Sequence, residues 1–305
     1  MGPALPHSSP RRLCSRPMGS LYVISTPIGN LEDITLRAIR ILGDVSAVLA
    51  EDTRRTGILL RHLGLTTPLL SYHQHNEEAR SREALGRLGA GEDLALVSDA
   101  GTPLVSDPGE RLTARVLDAG HRVVPIPGPS AVLAALVASG LPALPFTFLG
   151  FPPRKGRQRE AFLERVVDAP ETTVFFESPE RASVLLGELA SKADPERRGV
   201  VTRELTKLHE EVRRGTLGEL ARYYGENPPR GEVTLVVAPA EPPSPGETAQ
   251  VDDAAARSLG AALLGEGHRP SRAAREVSRR LGIPRNQAYE ILQSLSSPSR
   301  PEGAE

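Results

Sequence analysis

The sequence predicts an α/β protein. A mostly parallel sheet with helices on both faces fills its N-terminal half, a second α/β region with a mixed sheet follows, and a small helical region ends it. Three observations carry this. Short apolar runs alternate with helical patterns five times between residues 21 and 138, the rhythm of β-turn-α units in a parallel sheet. Beyond residue 141 the strand spacing loses that regularity, which points to a mixed sheet. Residues 240–250, AEPPSPGETAQ, have the composition of a linker, and three helical patterns come after it.

Taken in order, residues 21–25 form a strand and 26–30 a turn, and a helix begins over 33–36 with Leu36, Ile39 and Leu42 on one side. Residues 45–50, 69–70, 93–97 and 122–125 supply the next strands, and 53–63, 77–88, 107–119 and 131–138 the helices between and after them. The proline-rich stretch 141–145 marks a boundary, so two α/β domains are expected at 18–141 and 142–239. The second holds strands at 146–149, 172–176, 199–203 and 232–237, with helices near 157–167, 180–191 and 216–223. The helical patterns at 251–264, 272–281 and 286–295 make a third domain, 251–297. Within it SRAAREVSRRLGIPRNQAYEIL has the helix, glycine-containing turn and helix of a helix-turn-helix. Residues 1–17 read as a disordered leader, with Met18 an alternative start, and 298–305 as a disordered tail.

Composition removes several classes. Cys14 is the only cysteine of 305 residues, so no intrachain disulfide and no multi-cysteine metal site can form, which fits a reducing cytoplasm. No apolar run reaches membrane-spanning length, and no h-region follows the arginines of the leader. The formal net charge is -1, so any polyanion site must be a local patch. Walker A, G-x-G-x-x-G, H-E-x-x-H and G-x-S-x-G motifs are all missing, against ATPase, dinucleotide, zinc-protease and serine-hydrolase readings. His73 and His75 lack a third convergent ligand and read as a polar loop before a helix, so no metal is expected.

Ligands of open α/β sheets sit beyond the carboxyl ends of the strands. Three loops there are unusual. STPIGNLEDIT is a rigid first turn shaped by Pro27 and Gly29. LVSDAGTPLVSDPG, residues 96–109, is far longer than a βα connection needs and holds two Ser-Asp pairs. PIPGPSA, residues 125–131, brings Ser130 to a helix N-terminus, where backbone N–H groups can hold a carboxylate. Two further strands end in acids, AEDTRR at 50–55 and FFESPER at 175–181. Glu51, Asp52 and Arg54 fit a solvated helix-start cluster as well as a site.

TPIGNLEDITLRA, AEDTRRT, LVSDAGTPLVSDPG, PIPGPSAVLAAL, FPPRKGRQR and FFESPERA, in this order and spacing, resemble the small-subunit ribosomal RNA methyltransferase I family of the tetrapyrrole methylase superfamily, over about residues 20–240. The resemblance implies an S-adenosylmethionine-dependent enzyme that methylates the ribose 2′-hydroxyl of a cytidine in the decoding region of 16S rRNA, within the 30S subunit. It also implies a homodimer with the cofactor in the cleft between two α/β domains. Matched motif by motif, Asp99, Gly101 and Thr102, the first-turn Pro27 and Ile28, Ser130 and Ala131, and Phe176 become the cofactor residues. STPIGN and SDAGTP stand where the tetrapyrrole-methylating relatives have a glycine-rich turn and a GDP-type motif, which favours RNA over a porphyrin.

Methyl transfer to a hydroxyl needs alignment and loss of the hydroxyl proton. Glu177 and Asp52 are the candidate bases, since each ends a predicted strand facing the cleft; a helix cap or an arginine partner is the alternative role for either. RNA contacts are expected from Arg54, from Arg154, Lys155, Arg157 and Arg159 in a stretch of net charge +3 over 151–165, and from Arg272 and Arg279 in a stretch of +5 over 268–285. A solvated helix face is the plain alternative. Aromatic residues are too few for a stacking RNA-recognition sheet. Two rival functions use the same features: methylation of a tetrapyrrole or other small metabolite, and a helix-turn-helix regulator with a methylase-like sensor.

Overall fold

The computed structural model describes residues 18–240, 253–281, 283 and 285–296. The chain forms two compact units, one up to Pro239 and one from Ala240. The predicted leader and tail, and all of the linker but Ala240, lie outside the described residues.

The first unit holds two five-stranded sheets. One is built from β1 (Ser20–Ile24), β2 (Ala47–Ala50), β3 (Leu69–Ser71), β4 (Leu94–Val97) and β5 (Arg122–Ile126), in the order β3-β2-β4-β1-β5. Every pairing in it is parallel. Parallel strands buried on both faces read as unbroken apolar runs, and β2 and β4 are buried at every residue. Alternate side chains enter opposite cores. Val48, Ala50, Ala95 and Val97 pack with α1 (Leu36–Asp44) and α2 (Thr53–His62); Ala47, Leu49, Leu94 and Leu96 pack with α3 (Glu77–Gly89) and α4 (Glu110–Asp118).

Two expectations change here. The buried face of α1 is Ala38, Ile41 and Leu42, while Leu36 is 86% exposed. Thr35 caps the helix by accepting from the Ala38 N–H, and a separate turn of 3-10 helix covers Leu31–Asp33, so the start implied by Asp33 shifted the apolar stripe. Helix α5 (Ala131–Ser139), which chain order assigns to the first half, packs with Val132, Ala135 and Leu136 on Val174, Val200 and Val236 of the second sheet.

That second sheet joins β6 (Phe146–Phe148), β7 (Thr172–Glu177), β10 (Val233–Val237), β8 (Arg198–Arg203) and β9 (Glu211–Thr216), in that order. Only β6 and β7 pair in parallel; the rest are antiparallel, as a mixed sheet requires. Helices α6 (Arg157–Val167), α7 (Pro179–Lys192) and α8 (Leu217–Glu226) bury Phe162, Leu163, Leu185, Leu189 and Leu220 against Phe175, Val201 and Leu235. Strand β9, EVRRGT, went unpredicted because it has almost no apolar residues; charged side chains are what an edge strand carries to avoid pairing with other chains.

The second unit contains α9 (Asp253–Gly265), α10 (Pro270–Leu281) and α11 (Arg285–Ser296) around Ala256, Leu263, Ala273, Val277, Ile283, Ile291 and Leu292. Arg272 lies exposed on α10, and the Arg280 Nε–H donates to Glu276 Oε1 at 2.6 Å. The side chain of Arg279 lies outside the described residues. No helix among the described residues is long and apolar enough to cross a membrane.

Candidate active site

Strand order decides where the chemistry gathers. Because β4, β1 and β5 are neighbours and parallel, the loops that leave their carboxyl ends stand side by side. They are also tied together. Thr26 and Gly101 exchange backbone hydrogen bonds at 2.9 and 3.0 Å, Ser25 Oγ lies 3.0 Å from Thr102 Oγ1, and Thr102 Oγ1 donates to the Pro129 carbonyl at 3.3 Å. Gly128 is required for this approach, since a Cβ there would meet the Ser25 Cβ at 3.0 Å. A fourth connection, after β2, joins through Asp99, whose Oδ1 accepts the Asp52 N–H at 3.0 Å and whose Oδ2 lies 3.5 Å from Arg55 Nη1.

Between these loops and the facing end of the second sheet lies a cavity of about 330 Å³, at the lower end of the usual range for small-molecule sites. Ile28, Asp99, Thr102, Ser130, Ala131 and Phe176, all expected on the cofactor, line it. Pro27 lines an adjoining cavity of about 150 Å³ that shares Arg55 and Asp99 with the first. Gly101, at φ +76°, supports Ile28 from behind: a Cβ there would lie 3.4 Å from the Ile28 Cγ2. The Ser130 hydroxyl does not cap α5, and Ser130, Ala131 and Val132 at the start of that helix line the cavity.

The two candidate bases separate. Glu177 lines the cavity and is only 2% exposed; its Oε1 accepts from the Ser178 N–H at 2.8 Å and the Arg181 Nη2 at 2.5 Å, and its buried Oε2 has no partner. Asp52 is not among the lining residues. It is the N-cap of α2, accepting from the Arg54 N–H at 2.8 Å. The hydrogen bonds from the Arg54 side chain and backbone N–H hold its carboxyl down at about 2, so it is a poor proton acceptor at neutral pH. Of the roles left open for it, the structure supports both the cap and the arginine partner, since Arg54 Nη2 also donates to its Oδ2 at 2.8 Å.

The basic residues separate as well. Arg54 is exposed but paired with Asp52 at 2.8 Å. Arg154, Lys155 and Arg157 are exposed, and their segment begins beside Phe151, a wall of the cavity. Arg159, expected in an exposed loop, is buried in α6 instead. Its guanidinium pairs with Glu188 of α7 and donates to the Pro153 carbonyl at 3.0 Å, so it braces the segment and has no free face for a phosphate. The loop ends at Gly156, and helix spacing turns Arg159 inward.

Among the cavity residues that were missed, Arg55 and Asp107 carry charge beside Asp99. Arg55 resembled its exposed neighbour Arg54 in the sequence. Asp107 lay in a loop already marked by its length, yet nothing there distinguished it from Asp99. Leu104 at φ +73° and Ser106 at φ +70° give this loop two left-handed turns at non-glycine residues, a strained backbone of the kind found at functional sites, and Val105, Ser106 and Asp107 all line the cavity. Burial pushes the Asp107 carboxyl up to about 6 against a hydrogen bond with Ser98, with the Glu51 and Asp99 charges adding to the rise. Glu51 is also raised, by burial first and the Asp99 charge second.

Residues 20–221 match the family model for Tetrapyrrole (Corrin/Porphyrin) Methylases. Proteins called ribosomal RNA small subunit methyltransferase I resemble the chain along nearly its whole length. The one from Synechocystis sp. is 42% identical, covering 92% of this chain and 99% of its own; that from Micromonospora olivasterospora is 46% identical, covering 93% and 90%; that from Escherichia coli O157:H7 is 39% identical, covering 89% and 93%. Among solved structures, uroporphyrin-III-C-methyltransferase from Thermus thermophilus (TM-score 0.52, 24% identity) and the cobalamin biosynthetic enzyme cobalt precorrin-4 methyltransferase (0.56, 20%) share the fold, each over 72% of this chain and 94% of theirs. With the signature loops closing on one cavity and the match running through both sheets, the chain belongs to the tetrapyrrole methylase family and, within it, to the ribosomal RNA small subunit methyltransferase I group.

Proposed function

We propose that the chain methylates the 2′-hydroxyl of a cytidine in the decoding region of 16S rRNA, within the 30S subunit, using S-adenosylmethionine. The observation that carries the reading is the cavity itself, where the family's loops set carboxylates among apolar walls. Asp99, Asp107 and Glu177 face Ile28, Val105, Val132, Phe151 and Phe176. That donor set fits S-adenosylmethionine, whose sulfonium and ammonium groups are cationic and whose adenine is flat and apolar on its faces. The buried Glu177 Oε2 has no partner and suits a cation, and the α5 N-terminus, which the Ser130 hydroxyl leaves uncapped, suits the carboxylate. When bound, the cofactor supplies a methyl group on a positively charged sulfur, already an electrophile.

The residues then have three tasks. Asp99, fixed by the Asp52 N–H and Arg55, and the Ser130 turn hold polar ends; Ile28, Val105 and Phe176 exclude water; one cavity carboxylate receives the hydroxyl proton. Arg154, Lys155 and Arg157 supply phosphate contacts at the rim near Phe151, and residues 251–297, with Arg272 and Arg279, recognise the ribosomal substrate without performing chemistry. The reading takes 18–141 and 142–239 as the two methylase domains, a cytoplasmic location, no metal and a homodimer, for which the outward Leu133 and Val137 of α5 offer exposed apolar surface. Its test is radiolabelled methyl transfer to 30S particles, free rRNA and uroporphyrinogen side by side, with mapping of the modified nucleotide. Label in the ribose of one 16S cytidine is expected. Label in the tetrapyrrole alone refutes the reading.

A further inference from the structure

We infer that Asp107 is the catalytic proton acceptor, the group that takes the proton of the ribose hydroxyl during methyl transfer. This rests on the rRNA reading above. Five acids compete for the role, and their contacts rank them; Glu232 is paired with Lys207 Nζ at 3.1 Å. Asp52 caps α2 away from the cavity. Asp99 has both oxygens engaged, one by the Asp52 N–H and one facing Arg55. Glu177 has its Oε1 held by Arg181 and the Ser178 N–H, and its unpartnered Oε2 is the group assigned above to the cation of the cofactor. Asp107 lines the cavity with no ion pair among the described residues, and the Ser98 hydroxyl beside it in its own loop is neutral and donates to the Ala100 carbonyl at 3.2 Å.

The backbone is built to aim it. Two left-handed residues, Leu104 and Ser106, precede it, and Gly109 follows at φ +132°, where a Cβ would come within 2.7 Å of the Leu96 Cδ2. Only glycine permits that return into α4. The charged groups around the carboxyl are Glu51 and Arg55 at the head of α2, Asp99 in its own loop and, among the other lining residues, Glu177 and Glu232. Arg181 pairs with Glu177 and Lys207 with Glu232, which leaves Glu51 and Asp99 against Arg55, so the field favours uptake of a proton. In the step, the ribose O–H bond breaks and its proton passes to an Asp107 oxygen. The ribose oxygen forms the new C–O bond, and the S–C electron pair stays on the sulfur, which becomes neutral. No further reactant is needed.

The experiment is single-turnover methyl transfer to 30S subunits by the full chain, at saturating S-adenosylmethionine, across pH 5 to about 9, with calorimetric cofactor binding alongside. Wild type should show a rate rising with pH through about 6 and then levelling. D107N should lower the plateau roughly 10²–10⁴-fold and abolish the rise, with cofactor affinity unchanged; D107E should restore part of the rate and keep a rising limb. D107S guards against an effect peculiar to the amide. A D107N rate within tenfold of wild type, or an unchanged limb, overturns the assignment, and so does a parallel loss of cofactor affinity, which makes Asp107 a binding residue. Wild-type transfer to the tetrapyrrole alone, or to no acceptor, defeats the rRNA reading itself, and the assignment falls with it.

Discussion

The two sheets of the first unit meet at one cavity and contribute to it in different ways. In the first sheet every strand runs the same way, so every carboxyl end, and every loop with Asp99, Asp107 or Ser130, lies at one edge. In the second, antiparallel pairing brings strand ends of both kinds to the facing edge, where Glu177 closes β7 opposite Val233 at the start of β10. Its polar groups there are mostly neutralised: Glu177 by Arg181, Arg203 by Glu211, and Glu204 and Glu232 by Lys207. Parallel order concentrates free polar loops; mixed order yields a self-paired wall. Substitutions in the second sheet should therefore cost stability, and those in the first sheet's loops should cost binding and rate.

The largest effect expected is structural. Phe175 is fully buried and meets the Phe162 ring edge-to-face at 5.4 Å. Phe175→Ala should destabilise the fold by about 3–5 kcal/mol, read by denaturant titration; a loss confined to activity would break the division between the sheets. Arg159→Ala comes next. It leaves Glu188 unpaired and the Pro153 carbonyl short of a donor, but Glu188 is partly solvated, so about 2–3 kcal/mol is expected, below the full value for a buried pair. Replacing Arg154, Lys155 and Arg157 should leave stability alone and flatten the salt dependence of RNA binding by roughly 0.7 for each phosphate that is no longer neutralised. If Arg159→Ala shows that flattening with no loss of stability, its bracing role is wrong.

In the first sheet's loops, Asp99→Ala should weaken S-adenosylmethionine binding by roughly 10–100-fold, the value of a charged hydrogen bond, with the fold intact by circular dichroism. Equal affinity would remove Asp99 from the cofactor. A smaller effect sharpens the contrast through pH. Folding raises the Asp107 carboxyl from 3.8 to about 6, so the folded chain binds that proton more tightly than the unfolded one. The stability this gives is present below about 4, is lost as pH rises toward 6, and is absent above. Asp107→Asn should thus stabilise the protein at pH 7, by on the order of 1 kcal/mol after solvent screening, and its melting temperature should lose part of the wild-type pH dependence between 4 and 6. The smallest change is expected at Asp52: Asp52→Ala removes a helix cap and should lower thermal stability while sparing the methyl-transfer rate.

By itself the sequence determined the class of fold, nearly every element and the three loops that matter, because apolar period and Gly/Pro punctuation are local signals. It determined the family as well, since SDAGTPLVSDPG and its companion motifs are read without coordinates. Strand order was decided only in three dimensions, and with it the fact that the loops after β4, β1 and β5 are neighbours. The same holds for α5 crossing to the second sheet: an almost wholly apolar helix carries no stripe to say which core it serves. The polar edge strand β9 also stayed hidden, since its pairing with β8 is visible only in the backbone ladder. Roles among like residues were decided there too. Asp52 and Asp107 are both acids in loops after buried strands, and Arg157 and Arg159 are two residues apart. What separates a cap from a cavity wall, or an exposed guanidinium from a buried brace, is the neighbour each side chain meets across the fold, and those neighbours are distant in sequence.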